Sequence, residues 1–121
     1  MAKVLIVDDE SFFSQPIKLF LERAGHEVSV ASDGMEGLNK AREEHPDVIL
    51  MDLMLPAING YQVCRMLKFD EEFRDIPIII CSAKDTEKDH EMGKQSGADE
   101  YVTKPISPIE LVKIIENHLP K

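Results

Sequence analysis

The chain has 121 residues, enough for one hydrophobic core and too few for two. Its 43% apolar and 31% charged residues exclude a disordered or membrane-embedded chain. With 23 Asp and Glu against 14 Lys and Arg, a formal net charge of -9 repels phosphate backbones, so no direct nucleic-acid binding is expected.

The N-terminal "MAKVLIVDDE" has one lysine and an apolar run stopped by acids, so it is neither a signal peptide nor a membrane span. Residues 3–7 read as a first strand, and "DDE" follows at 8–10. A first helix is expected over 11–24, with Phe13, Ile17, Phe20, Leu21 and Ala24 as its core stripe, Pro16 as a bend and Gly25 as a left-handed cap. The alternation continues with a strand at 27–31, a helix at 34–45, a strand at 47–51 and a helix at 60–70. A fourth strand is expected at 76–80, a helix with little apolar face beyond Met92 at 85–96, and Gly97 as its cap. Gly93 weakens that helix by roughly 1 kcal/mol relative to Ala. A fifth strand at 100–104 leads to "SPIE", a capping box of Ser107 and Glu110 with Pro108 at the first helical position, and a last helix over 108–119. Near-continuous apolar strands alternating with helices indicate a parallel sheet covered on both faces, hence one α/β domain over 1–121 without an internal linker.

Open parallel sheets bind ligands beyond the carboxyl ends of their strands. Asp8 and Asp9 follow the first strand, Asp52 the third, Ser82 the fourth, and Lys104 with Pro105 closes the fifth. Alone, "DDE" reads as a solvated turn and "KP" as nothing in particular; their joint placement is what carries chemistry. If the first and third strands are neighbours, three aspartates converge, and three close negative charges call for a hard divalent cation such as Mg²⁺. Asp52 can then act as a nucleophile that takes a phosphoryl group, with Lys104 and the Ser82 hydroxyl partnering its oxygens.

"VDDE" at 7–10, "DVILMDLMLPAINGYQ" at 47–62, "PIIICSA" at 77–83 and "ADEYVTKP" at 98–105 resemble the response-regulator receiver domain of two-component signalling along the whole chain, with a likeness to chemotaxis regulators. The resemblance implies a flavodoxin-like doubly wound sheet of order 2-1-3-4-5. It implies Asp52 as phospho-acceptor, Mg²⁺ held by Asp8, Asp9, Asp52 and the Met54 carbonyl, Ser82 as switch hydroxyl, Tyr101 as switch aromatic, Lys104 as the phosphate-binding lysine and a cis Lys104–Pro105 bond. It also implies a phosphoryl donor, either a sensor histidine kinase or a histidine phosphotransferase, and a surface of the fourth helix, fifth strand and fifth helix that changes partners. Such a chain is a phospho-acceptor switch rather than an enzyme. Met54 and Lys84 occupy the positions that tune phosphoryl lifetime in the family. Ser82 replaces the commoner Thr, Ala57 the usual Gly and Asn59 the frequent Asp.

Phe12 either anchors the helical domain of the phosphodonor or widens the buried stripe. The histidines at 26, 45, 90 and 118 lack ligand spacing and read as surface residues, and Cys64 and Cys81 read as buried thiols in a reducing cytoplasm. A flavin carrier on the same topology needs phosphate-binding groups where "DDESFF" offers carboxylates. An aspartyl phosphohydrolase usually has a second acid two residues on, where Met54 stands. The expected target is a protein partner or an output domain outside this chain, with the receiver a monomer or a phosphorylation-dependent dimer.

Overall fold

The computed structural model describes residues 2–120. Ten elements alternate along them: β1 (Lys3–Val7), α1 (Ser11–Arg23), β2 (Glu27–Ala31), α2 (Gly34–Glu44), β3 (Val48–Met51), α3 (Gly60–Lys68), β4 (Ile78–Ser82), α4 (Glu87–Gln95), β5 (Glu100–Thr103) and α5 (Pro108–Asn117). All strand pairs are parallel, in the order β2-β1-β3-β4-β5. β1 lies between β2 and β3, with Val7 registered on both Ala31 and Met51.

The period-2 alternation of side chains divides the core in two. Val4, Ile6, Leu50, Ile79 and Cys81 face Ile17, Leu21, Leu111 and Ile115 of α1 and α5. Leu5, Val7, Ile49, Met51 and Ile78 face Leu38, Ala41, Val63 and Leu67 of α2 and α3. Each such fully buried Val, Leu or Ile contributes about 1.5–3 kcal/mol. The central strands β3 and β4 are buried along their whole length, whereas β2 at the sheet edge is half-exposed.

Several local expectations are corrected. β4 starts at Ile78, two residues later than expected, because Pro77 has no N–H for the ladder and the Ile76 N–H closes a turn onto the Phe73 carbonyl. Ser82 is therefore the last residue of the strand rather than part of a loop. In α1 the buried stripe is Ser14, Ile17 and Leu21; Phe20 is 37% exposed and Ala24 is also exposed, because both lie on the flank of a narrower contact. The helix runs unbroken through Pro16, which leaves the Phe12 carbonyl without its usual donor. On α4 the inward residue is Gly93, while Met92 is exposed.

Ser107 accepts from the Glu110 N–H at 3.2 Å, but the return bond of a capping box is absent. Complete boxes occur instead at α3, with Asn59 and Gln62, and at α4, with Thr86 and Asp89. Gly25 and Gly97 adopt positive φ just past α1 and α4, as left-handed caps require. Among the described residues, no helix is long and apolar enough to cross a membrane.

Candidate phosphoryl-transfer site

The sheet brings the acids together by backbone bonds. Where β1 ends, the Asp8 N–H donates to the Ala31 carbonyl and the Asp52 N–H to the Val7 carbonyl, each at 2.9 Å. The chain then doubles back, with the Glu10 N–H donating to Asp8 Oδ1 at 2.8 Å. Asp8 and Asp52 are buried to 4% and 5% exposure. Carboxylate oxygens of Asp8, Glu10 and Asp52 all lie within 4.8 Å of one another.

Lys104 enters from the end of β5, placed by its N–H on the Ser82 carbonyl at 2.8 Å and followed by a cis bond to Pro105. Its Nζ is 3.0 Å from Asp8, 3.3 Å from Glu10 and 3.8 Å from Asp52, and it sits 4.0 Å above the centre of the Phe13 ring. Three carboxylates thus face one ammonium, and the excess of negative charge has no partner among the described residues.

Burial pushes the Asp52 carboxyl above its ordinary range; Lys104 opposes the shift and the Asp8 charge adds to it. Burial likewise raises Asp8, against the Glu10 N–H and the Lys104 ammonium. For Lys104, burial disfavours the charge, but the hydrogen bond to Asp8 and the Asp52 charge prevail and hold its pKa up. A group of oxygen donors carrying surplus negative charge fits a hard divalent cation.

A cleft of about 280 Å³ opens beside these groups, lined by Asp9, Glu10, Asp52, Met54, Ala83 and Lys104. Asp9 is exposed at its rim, so the third acid of the tight cluster is Glu10, to which sequence reasoning gave no role. The signal was present in the run of three acids, but only the turn after β1 decides which of them faces inward. Asp52 Oδ1 lies 3.4 Å from the Met54 N–H, and in the following loop Ala57 takes φ 70°, the left-handed region that favours glycine.

Ser82 is fully buried, and its hydroxyl oxygen accepts from the Lys84 N–H at 3.2 Å. Tyr101 lies one strand away, its hydroxyl donating to the Lys84 carbonyl at 2.6 Å. Burial, reinforced by Tyr61, pushes the Tyr101 phenol well above its usual pKa. Phe12 is 78% exposed and borders an apolar recess with Phe13, Pro105 and Ile106. Each of the four histidines pairs with a carboxylate: His26 with Glu116, His45 with Glu72, His90 with Asp85 and His118 with Glu100. Both cysteines are buried free thiols, and burial pushes the pKa of Cys81 up to about 12.

Residues 4–116 match the model of the response regulator receiver domain. The chain is 44% identical over 115 residues to protein PilH of Pseudomonas aeruginosa, covering 95% of each. Among solved structures it superposes on the chemotaxis response regulator CheY4 of Vibrio cholerae with a TM-score of 0.91 at 33% identity, over 98% of this chain and 99% of that one. It also superposes on the receiver domain of sensor histidine kinase PA1611 from Pseudomonas aeruginosa, a structure with a magnesium ion in its active-site cleft, with a TM-score of 0.86 at 31% identity over 96% and 95% of the two chains. The aspartates buried at two neighbouring strand ends, the lysine that reaches them and these likenesses agree: the chain belongs to the response regulator receiver domain family of two-component signalling.

Proposed function

We propose that Asp52 is the phospho-acceptor of this receiver and that residues 1–121 act as one unit. The observation that carries the reading is the Asp52 carboxylate, buried at the end of β3, facing the cleft and 3.8 Å from Lys104. One Asp52 oxygen attacks phosphorus as the bond to the donor nitrogen of a phosphohistidine breaks, and the imidazole leaves with the electron pair. Lys104 turns from Asp8 and Glu10 to the transferred oxygens, and the Ser82 hydroxyl, already at the strand end, donates to another. Asp8, Asp9, Asp52 and the Met54 carbonyl, with Glu10 in reach, would hold Mg²⁺, whose charge screens the repulsion between carboxylate and phosphoryl group.

With Ser82 drawn to the phosphoryl group, its bond from Lys84 is released, and the same residue's carbonyl holds Tyr101. The β4–α4 segment thereby passes the event to the surface of α4, β5 and α5, which then exchanges partners. The chain turns over nothing of its own beyond taking and losing the phosphoryl group. The donor is a sensor histidine kinase or a histidine phosphotransferase, with the exposed Phe12 as one anchor for it. The target is a protein partner or an output domain, met by a monomer or by a dimer formed on phosphorylation, and the setting is the cytoplasm, where such donors work.

Incubation with acetyl phosphate tests the reading by intact mass. The wild type gains one phosphoryl group only when Mg²⁺ is present, and Asp52→Ala gains none. Equal gain by the mutant would remove Asp52 as the acceptor.

A further inference from the structure

His90 on α4 makes contacts that phosphoryl transfer leaves unused. Its ring lies 4.1 Å, centre to centre, from the Tyr101 ring at a tilt of 34°. Its Nε2 is 2.8 Å from Asp85 Oδ1, and the same oxygen accepts the Thr103 hydroxyl at 2.9 Å. Asp85 thus ties the imidazole to the strand that carries Tyr101. One helical turn on, Gly93 leaves room for the phenol: a Cβ there would stand 2.8 Å from Tyr101 Cδ2. The hydroxyl end is held by the Lys84 carbonyl. The ring is therefore gripped by three residues of one short segment, 84–93, whose helix buries nothing else.

We infer that His90, oriented by Asp85, is a positioning residue that clamps the Tyr101 ring against α4 and sets how readily it turns. The inference rests on the reading of Tyr101 as the switch aromatic. A free imidazole would sample other rotamers; the Asp85 bond removes that freedom, and Asp85 is itself anchored by Thr103. Losing an aromatic contact of this kind changes the ratio of clamped to released ring by about two- to tenfold.

The chain has two tyrosines, so labelling with fluorotyrosine gives two ¹⁹F resonances, assigned with Tyr61→Phe. In His90→Ala the Tyr101 resonance shifts and broadens more than that of Tyr61, whose hydroxyl sits on the Asp89 carbonyl beside His90. His90→Phe, which restores a ring without the Asp85 bond, returns most of the wild-type position, and Asp85→Ala gives a smaller displacement than His90→Ala. His90→Gln, which keeps the hydrogen bond and lacks the ring, replaces His90→Ala should that variant not fold. A Tyr101 resonance unchanged in both ringless variants would overturn the inference. Intact mass after acetyl phosphate, taken on the same samples, separates the two readings: absence of phosphorylation rejects the acceptor, while the resting spectra still decide the clamp.

Discussion

α3 and α4 are each nine residues long and each opens with a complete capping box, yet the sheet holds them differently. α3 buries Gly60, Tyr61, Val63, Cys64 and Leu67, whereas α4 buries Gly93 alone. Local caps make a helix; apolar burial decides whether it opens only with the core or by itself. α3 backs onto Asp52 through Gly60, and α4 backs onto Tyr101 through Gly93. The proposed acceptor thus rests against the frame, and Tyr101, the proposed switch, rests against the element with the least to lose by moving. A surface that exchanges partners needs such an element, since two arrangements only a few kcal/mol apart can be repopulated by one phosphoryl group.

The largest effect expected from this contrast comes from truncating each helix. Leu67 is 1% exposed, and Leu67→Ala should cost about 2–5 kcal/mol in a urea titration, through lost burial and the cavity left behind. Met92 is 39% exposed, and Met92→Ala should stay within about 0.5 kcal/mol. Comparable losses would mean that α4 is as firmly part of the core as α3.

The buried glycines of α3 and α4 sharpen the contrast. A Cβ on Gly60 would meet the Asp52 carbonyl oxygen and stand 3.0 Å from Leu53 Cα, backbone atoms that cannot turn aside. Gly60→Ala should therefore cost about 1–3 kcal/mol and slow the phosphoryl gain at Asp52. The Cβ on Gly93 meets a ring that can rotate, and Ala restores roughly 1 kcal/mol of helix propensity. Gly93→Ala should leave stability within about 1 kcal/mol of wild type and instead displace the Tyr101 fluorine resonance. A stable Gly60→Ala, or an unmoved Tyr101 in Gly93→Ala, would contradict the geometry.

The frame was more legible in the sequence than α4 and its contacts with β5, for the same physical reason. β1 and β3 are buried on both faces, so they appear as the unbroken apolar runs "VLIV" and "VILM", and the acids after them mark the strand ends. Where burial is thin, pattern fails. Ile76 and Pro77 look like strand because they are apolar, yet Pro77 brings no N–H to the ladder and only its carbonyl pairs, accepting from the Ile49 N–H at 2.9 Å. Phe20 looks like core because helical spacing allows it, yet the contact with the sheet is too narrow to reach it. The sequence points to a box at Ser107 and to none at Asn59 or Thr86, since four letters do not say whether the second side chain turns back onto the cap. Glu10 and His90 owe their partners to the turn after β1 and to the fold of α4 onto β5, contacts that no spacing rule encodes.

The smallest effect tests the same contrast at the caps. Asn59→Ala and Thr86→Ala each remove a side chain that accepts from an N–H three residues on, at 3.0 and 3.1 Å. In isolation each loss is worth about 1 kcal/mol. α3 can open only by exposing Val63, Cys64 and Leu67, so Asn59→Ala should lower global stability by nearly that full amount. α4 has another outlet: once uncapped, it frays while the sheet stays folded, and global stability cannot fall by more than the free energy of opening α4 alone. Thr86→Ala should therefore cost less than Asn59→Ala in denaturant and show itself as faster amide exchange over residues 87–95, with exchange in α3 unchanged. Equal losses in denaturant, with α4 amides as protected as those of α3, would show that the cap and not the core had been holding the helix.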